Sequence, residues 1–277
     1  MTAARESMFS LQGRTAVLTG STGFFGRAFA NALLRAGAKV LLFGRSDSTR
    51  AMRESLAAAY GPERVAEYVV DCADEPAFRA SLGRAIASHP RIDVLVNNAF
   101  EFSRATGFND PSGRLDAISK EQWMRGLESG IVWQASAIQA LAPAMRAAGG
   151  SIINISSMYA IVAPDPKLYE GKQALNPPVY GAAKAGLLAL TRYVASFYGA
   201  SGIRCNALLP GPFPNTDTSA FNAPPDEEFL SVLASRTVLG RVGRVEELEG
   251  PLLFLASDAS RYVTGHGLVV DGGWTIR

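Results

Sequence analysis

The chain has 277 residues, with 27 Lys and Arg against 25 Asp and Glu and a formal net charge of +2. At 48% hydrophobic and 19% charged it has the makings of a buried core, which excludes a disordered or coiled-coil chain, and the balanced charge argues against nucleic-acid or polybasic membrane binding. Two cysteines outside any CxxC spacing, Cys72 and Cys205, and two histidines, His89 and His266, give neither a disulfide framework nor a metal site.

The opening MTAARESMFSLQG lacks the apolar run of a signal peptide, and no segment has the uninterrupted apolar length of a membrane span, so a cytoplasmic protein is expected. Apolar or β-branched runs at 15–19, 39–43, 65–70, 93–96, 151–156, 204–209 and 268–270 predict strands. Between them, Ala-rich amphipathic stretches near 27–36, 49–60, 75–88, 120–148, 179–199 and 246–256 predict helices. Continuous apolar strands alternating with helices predict an α/β fold with a parallel sheet covered on both faces. Right-handed crossovers make it a Rossmann-type doubly wound sheet, and no linker or repeat divides the chain, so one domain is expected over 1–277. Two long loops, 100–118 and 159–178, follow strands at their carboxyl ends, where such sheets bind ligands, and are expected to shape a substrate pocket.

Directly after the first strand comes Thr19-Gly20-Ser21-Thr22-Gly23-Phe24-Phe25-Gly26, a GxxGxxG turn leading into a helix. Glycine lets the backbone turn tightly and approach a pyrophosphate, whose charge meets the free N–H groups of the helix start. The strand–turn–helix setting makes Gly20, Ser21, Gly23, Phe25 and Gly26 candidate cofactor-binding residues. The second strand ends in Phe43-Gly44-Arg45, where NAD-binding sheets usually carry an acid for the ribose hydroxyls. A guanidinium suits a 2′-phosphate instead, so Arg45 predicts NADP(H) over NAD(H).

Tyr180 and Lys184 stand four apart at helical spacing, on one face. A fixed ammonium one turn away is expected to lower the pKa of a tyrosine, which could then exchange a proton with an alcohol or carbonyl oxygen while hydride moves to or from a nicotinamide. Ser156 and Ser157 end the fifth strand, where a hydroxyl can donate to a substrate oxygen or merely cap a turn.

The ordered set of TGxxGxxG at 19–26, Asp71 after the third strand, Asn97-Asn98-Ala99 after the fourth, INISS at 153–157, Tyr180-x-x-x-Lys184, Pro210-Gly211 and Val270-Asp271-Gly272-Gly273 resembles the short-chain dehydrogenase/reductase family, over the chain from about Gly13 to Thr275. The resemblance implies a seven-stranded parallel sheet with an NAD(P) site across the carboxyl ends of its strands. It implies that Tyr180 is the acid/base, that Lys184 binds the nicotinamide ribose, and that Ser157, with Ser156 as the fallback, polarises the substrate. By the same resemblance Asp71 and Cys72 meet the adenine and Asn98 the ribose region. Pro210, Gly211, Phe213 and Thr216 meet the nicotinamide end, residues 212–235 form a mobile lid, and the chain forms a homotetramer or homodimer.

Four features depart from the family's pattern. Phe100 stands where a glycine usually follows Asn-Asn-Ala, and Phe24 occupies a glycine position of the commoner turn. Gly130 stands where a helix asparagine usually completes a proton relay, and Ser157 and Tyr180 are 23 positions apart, more than the family usually shows.

The leading expectation is an NADP(H)-dependent oxidoreductase interconverting a secondary alcohol and a carbonyl on a small molecule. Asp165, Lys167, Tyr169, Glu170, Lys172 and Asn176 in the second loop suggest a polyhydroxylated, sugar-like substrate, while Tyr159, Ile161 and Val162 leave room for an apolar one. A non-catalytic NAD(P) sensor or scaffold on the same fold is the rival, motivated by Gly130 and Phe100. A dehydratase or epimerase that uses its cofactor transiently is a third reading.

Overall fold

The computed structural model describes residues 8–169, 175–215 and 227–277. Among these residues the strands are β1 (Thr15–Thr19), β2 (Lys39–Gly44), β3 (Val65–Val69), β4 (Val94–Asn97), β5 (Gly150–Ile155), β6 (Ile203–Pro210) and β7 (Gly267–Val270). All pair in parallel, in the order β3-β2-β1-β4-β5-β6-β7. The order reverses between β1 and β4, which opens a crevice at their carboxyl ends, the place where doubly wound sheets bind ligands.

The helices are α1 (Phe24–Arg35), α2 (Ser48–Tyr60), α3 (Glu75–Ser88), α4 (Lys120–Leu127), α5 (Trp133–Met145), α6 (Pro178–Tyr198), α7 (Glu227–Ser235) and α8 (Glu249–Ala256). Successive strand residues point to opposite faces, and on the central strands β1, β2, β4, β5 and β6 both faces are buried. Leu18, Leu42, Val96 and Ile153 pack with Phe29 and Leu33 of α1 and Leu252 and Leu255 of α8. Their chain neighbours Val17, Leu41, Leu95 and Ile152 pack with Phe78 and Leu82 of α3 and Leu141 and Met145 of α5. Each such side chain contributes about 1.5–3 kcal/mol through burial, so the paired cores fix the sheet from both sides.

Local chemistry sets the helix starts. The Asp74 carboxylate accepts from the Ala77 N–H at 3.0 Å to open α3. Ser119 and Gln122 form a capping box at α4, with bonds of 3.2 and 3.0 Å.

Two stretches differ from the sequence expectation. The helix expected over 120–148 is divided by a π-turn, Glu128–Val132. The Gln134 amide donates to the Ser129 carbonyl at 2.9 Å and to the Ala99 carbonyl at 2.8 Å, and this side chain drawn into the ladder widens it there. Helix α7 lies at the end of 212–235, the segment expected as a lid, of which 216–226 lie outside the described residues; its Glu227-Glu228 start and apolar Phe229, Leu230 and Leu233 follow a Pro- and Asn-rich run that hides them. Thr216, Glu170 and Lys172 lie outside the described residues. No helix among the described residues is long and apolar enough to cross a membrane.

Candidate active site

The glycine turn is held before any ligand arrives. Gly20 has φ +64°, and a Cβ there would stand 2.9 Å from the Ala99 Cα. A Cβ on Gly26 would overlap the Gly20 carbonyl oxygen and stand 2.5 Å from that of Ser21. The Ser21 N–H and hydroxyl both donate to the Phe43 carbonyl, at 3.1 and 3.2 Å, so Ser21 ties the turn to β2. The Asn98 amide donates to the carbonyls of Thr19 and Gly20 at 3.1 and 2.9 Å and braces the turn from β4. No side chain caps the start of α1, and the N–H groups of Phe24, Phe25 and Gly26 have no partner within the helix. A cradle that only glycine fits, with uncapped N–H groups at its rim, suits a pyrophosphate, so the residues present fit a dinucleotide.

The other cofactor candidates divide. A Cβ on Gly44 would meet the Thr49 hydroxyl, which would have to turn aside, and Arg45 beside it is exposed. Asp71 accepts from the Ala73 N–H at 3.0 Å, beyond the end of β3. Burial pushes the neighbouring Cys72 thiol up to about 12, which leaves it unreactive. Phe25 contributes a backbone N–H to the first turn of α1, while its ring packs on Phe29 and edge-on against Phe213, with centroids 5.9 and 6.1 Å away. Gly211 donates to the Val270 carbonyl at 2.9 Å and closes the end of β6, after Pro210.

Tyr180 and Lys184 lie in the first two turns of α6, which Pro178 opens with a backbone angle already suited to a helix. The Lys184 ammonium is buried and donates to the Ile155 carbonyl at 2.8 Å. The two serines take different tasks. The Ser156 hydroxyl donates to the Lys184 carbonyl at 2.9 Å and pins α6 to β5. The Ser157 hydroxyl accepts from the Tyr159 N–H at 3.2 Å and lines the same cavity as the Tyr180 phenol, whose pKa it draws down.

The electrostatics run opposite to the sequence expectation of a lowered tyrosine. Burial pushes Tyr180 up to about 12; Ser157 pulls it down and Tyr169 adds to the rise. Burial alone brings Lys184 down to about 7. The ammonium meant to favour a phenolate is itself dehydrated, so desolvation governs both groups.

Ser157 and Tyr180 line a cavity of about 290 Å³, walled by Phe102, Phe108, Met158, Phe213, Phe229 and Leu233. Sequence reasoning placed both long loops and Phe213 at the site but did not single out Phe102, Phe108, Met158, Phe229 or Leu233. Phe100, Phe102 and Phe108 surround the Tyr180 ring with centroids 5.3, 5.9 and 5.1 Å away. The signal was the FEF…F run of 100–108, whose rings converge only after the loop folds. On the far side the Tyr159 and Tyr169 hydroxyls are 3.0 Å apart, and the Asn176 amide donates to Tyr169 at 3.0 Å. The two long loops meet at this cavity: the Asn109 side chain accepts from the Leu175 N–H at 3.0 Å, and its own N–H donates to the Leu175 carbonyl at 3.2 Å. Arg236, after α7, pairs with Asp165 at 2.8 Å, so the segment following the expected lid also touches the second loop.

Comparison with known proteins places this geometry among relatives. A family model described as enoyl-(acyl carrier protein) reductase, of the short-chain dehydrogenase/reductase group, matches residues 23–275. The chain is 36% identical over 267 residues to a cis-4-hydroxycyclohexanecarboxylate dehydrogenase from Sinomonas cyclohexanicum, covering 95% of this chain and 96% of that one. It is 36% identical over 266 residues to an L-rhamnose 1-dehydrogenase (NAD(P)(+)) from Azotobacter vinelandii, covering 94% and 96%. Among solved structures it is similar to a gluconate 5-dehydrogenase from Burkholderia cenocepacia in complex with NADP and tartrate, with a TM-score of 0.82, 30% identity, and coverage of 99% and 100%.

Proposed function

Because the chain belongs to the short-chain dehydrogenase/reductase family and is an oxidoreductase of CH–OH groups linked to NAD(P), we propose that it interconverts a secondary alcohol and a carbonyl with NADP(H). The observation that carries this reading is the meeting of Ser157 and Tyr180 at the cavity, with the buried Lys184 ammonium 5.6 Å behind the Tyr180 ring. NADP(H), when bound, supplies or accepts the hydride. The uncapped N–H groups of α1 would hold its pyrophosphate, Arg45 its 2′-phosphate and Lys184 its nicotinamide ribose. Arg45, and a glycine rather than an acid at position 44, support the preference for NADP(H).

Ser157 donates a hydrogen bond to the substrate oxygen, and Tyr180 exchanges a proton with that same oxygen. With its hydroxyl pushed up to about 12, Tyr180 keeps its proton at neutral pH and is set as the acid for carbonyl reduction. The relatives that act on rhamnose and gluconate support the sugar-like substrate expected from the second loop. The phenylalanine wall favours a second reading, an alicyclic or aryl ketone with an apolar body, and the hydroxycyclohexanecarboxylate relative supports it. Stacked Tyr193 and Phe197, 66% and 60% exposed on α6, support self-association.

Purified protein screened for NADPH oxidation against ketoses and cyclic ketones tests the reading. Tyr180→Phe is expected to lower turnover by about 10²- to 10⁴-fold. Binding of NADPH without turnover of any carbonyl would favour the sensor instead, and full activity in Tyr180→Phe would overturn the mechanism.

A further inference from the structure

The loop after β4 enters the site with Phe100. Gln134 holds the carbonyl of the preceding Ala99, so the ring is aimed rather than free. It lands where the π-turn leaves a gap: a Cβ on Gly130 would stand 3.2 Å from the Phe100 ring and 2.6 Å from the Ala183 Cβ. On its other side the ring centroid lies 4.8 Å from the Lys184 ammonium nitrogen, nearer than the Tyr180 ring at 5.6 Å. An ammonium has three donors, and the Ile155 carbonyl takes one; the faces of Phe100 and, farther off, Tyr180 lie beside the rest.

The charged groups on the surrounding elements are otherwise engaged. Glu101, next to Phe100, and Glu128, on the π-turn, both pair with Arg125 at 2.5 and 3.1 Å. Tyr180 precedes Lys184 by one turn of α6, and the Tyr159 hydroxyl, on the far wall, faces Tyr169. Burial is the one cause of the lysine's shift, and no carboxylate contributes to it.

We propose that Phe100 is a positioning residue: its ring, seated in the gap left by Gly130, holds the Lys184 cation by its π-face and seals it from water beside Tyr180. The proposal rests on the reading of Tyr180 and Lys184 as the working pair. A ring contributes to the charged lysine in two opposite ways. Its face stabilises the cation, and its bulk dehydrates it.

That opposition supplies the test. Lysine labelled with ¹³C at Cε gives few signals, because the chain has five lysines, and Lys184→Met identifies the one from Lys184. The titration of that signal is followed in the cofactor-free protein for wild type, Phe100→Leu, Phe100→Ala and Phe100→Tyr. Phe100→Leu keeps the bulk and removes the face, so the Lys184 titration is expected to move down by about half a pH unit. Phe100→Ala admits water and is expected to move it up, while Phe100→Tyr restores the wild-type midpoint. Unchanged midpoints in all variants would overturn the proposal, as would upward shifts in both Ala and Leu, which leave burial as the only effect. If Phe100→Ala does not fold, Phe100→Leu against Phe100→Tyr still decides. The readout needs no turnover, so failure of the dehydrogenase reading shows separately, as unimpaired activity in Tyr180→Phe.

Discussion

The ring of Phe100 and the bare α-carbon of Gly130 fit one another: the ring lies 3.2 Å from the point a Cβ at 130 would occupy. The two departures from the family's pattern are therefore one exchange, in which bulk moves from the helix to the loop after β4. Each residue accounts for the other, because a larger side chain at 130 would collide with both Phe100 and Ala183. Gly130→Asn alone is expected to destabilise the protein by about 1–3 kcal/mol through overpacking. Adding Phe100→Gly is expected to recover the part of that loss due to the ring, while the closer contact with the Ala183 Cβ remains. Urea denaturation of the wild type, both single variants and the double variant gives the coupling, and purely additive effects would contradict the exchange.

The central strands were readable because both of their faces are buried. Val17 and Leu18 go to opposite cores, so β1 shows as an unbroken apolar run bounded by Arg14 and the glycine turn. Tyr180 and Lys184 were readable because helical spacing alone puts them on one face. The aromatic enclosure of Tyr180 was not: Phe100, Phe102 and Phe108 meet Tyr180 across a separation that no local period records. The π-turn escaped for a related reason. Its cause is Gln134 reaching the Ala99 carbonyl, a contact between a helix and a distant loop. The upward direction of Tyr180 also came from this packing, since the sequence shows the nearby lysine but not the dehydration of both groups.

Arg45 is exposed at the end of β2, beside Gly44, which carries no acid. Arg45→Ala is expected to weaken NADPH binding by about ten- to a hundredfold, the value of about 1.5–3 kcal/mol for hydrogen bonds to a charged group. NADH, which lacks the 2′-phosphate, is expected to bind the variant as it binds wild type. Titration by nicotinamide fluorescence separates the two, and an equal loss for both cofactors would remove Arg45 from the phosphate site.

Lys184 makes stability depend on pH. Its folded value is lowered to about 7, below the ordinary lysine range. Below about 7 both folded and unfolded chains hold the proton, and the cost of the buried cation is fully present. As the pH rises above that point the folded chain sheds its proton before the unfolded chain does. Stability therefore rises relative to Lys184→Met, by up to about 1.4 kcal/mol per pH unit. Denaturation of both proteins between about pH 6 and pH 10 should show the variant's relative stability falling as pH rises. Parallel curves would mean that the ammonium is not dehydrated.

Gly26 and Gly83 should respond oppositely to the same methyl group. At Gly26 a Cβ overlaps the Gly20 carbonyl and crowds that of Ser21, and both are backbone atoms of the turn, which cannot swing aside as a side chain could. Gly26→Ala is expected to open the cradle, costing about 1–3 kcal/mol of stability and at least about tenfold in NADPH affinity. Gly83 lies in the interior of α3, and a Cβ there meets nothing within 4 Å. Gly83→Ala removes conformational freedom from the unfolded chain and is expected to stabilise by about 0.5–1 kcal/mol, with cofactor binding unchanged. Thermal melts with and without NADPH read both effects. If Gly26→Ala kept the shift in melting temperature that NADPH gives wild type, the glycine turn would not be the place where the pyrophosphate sits.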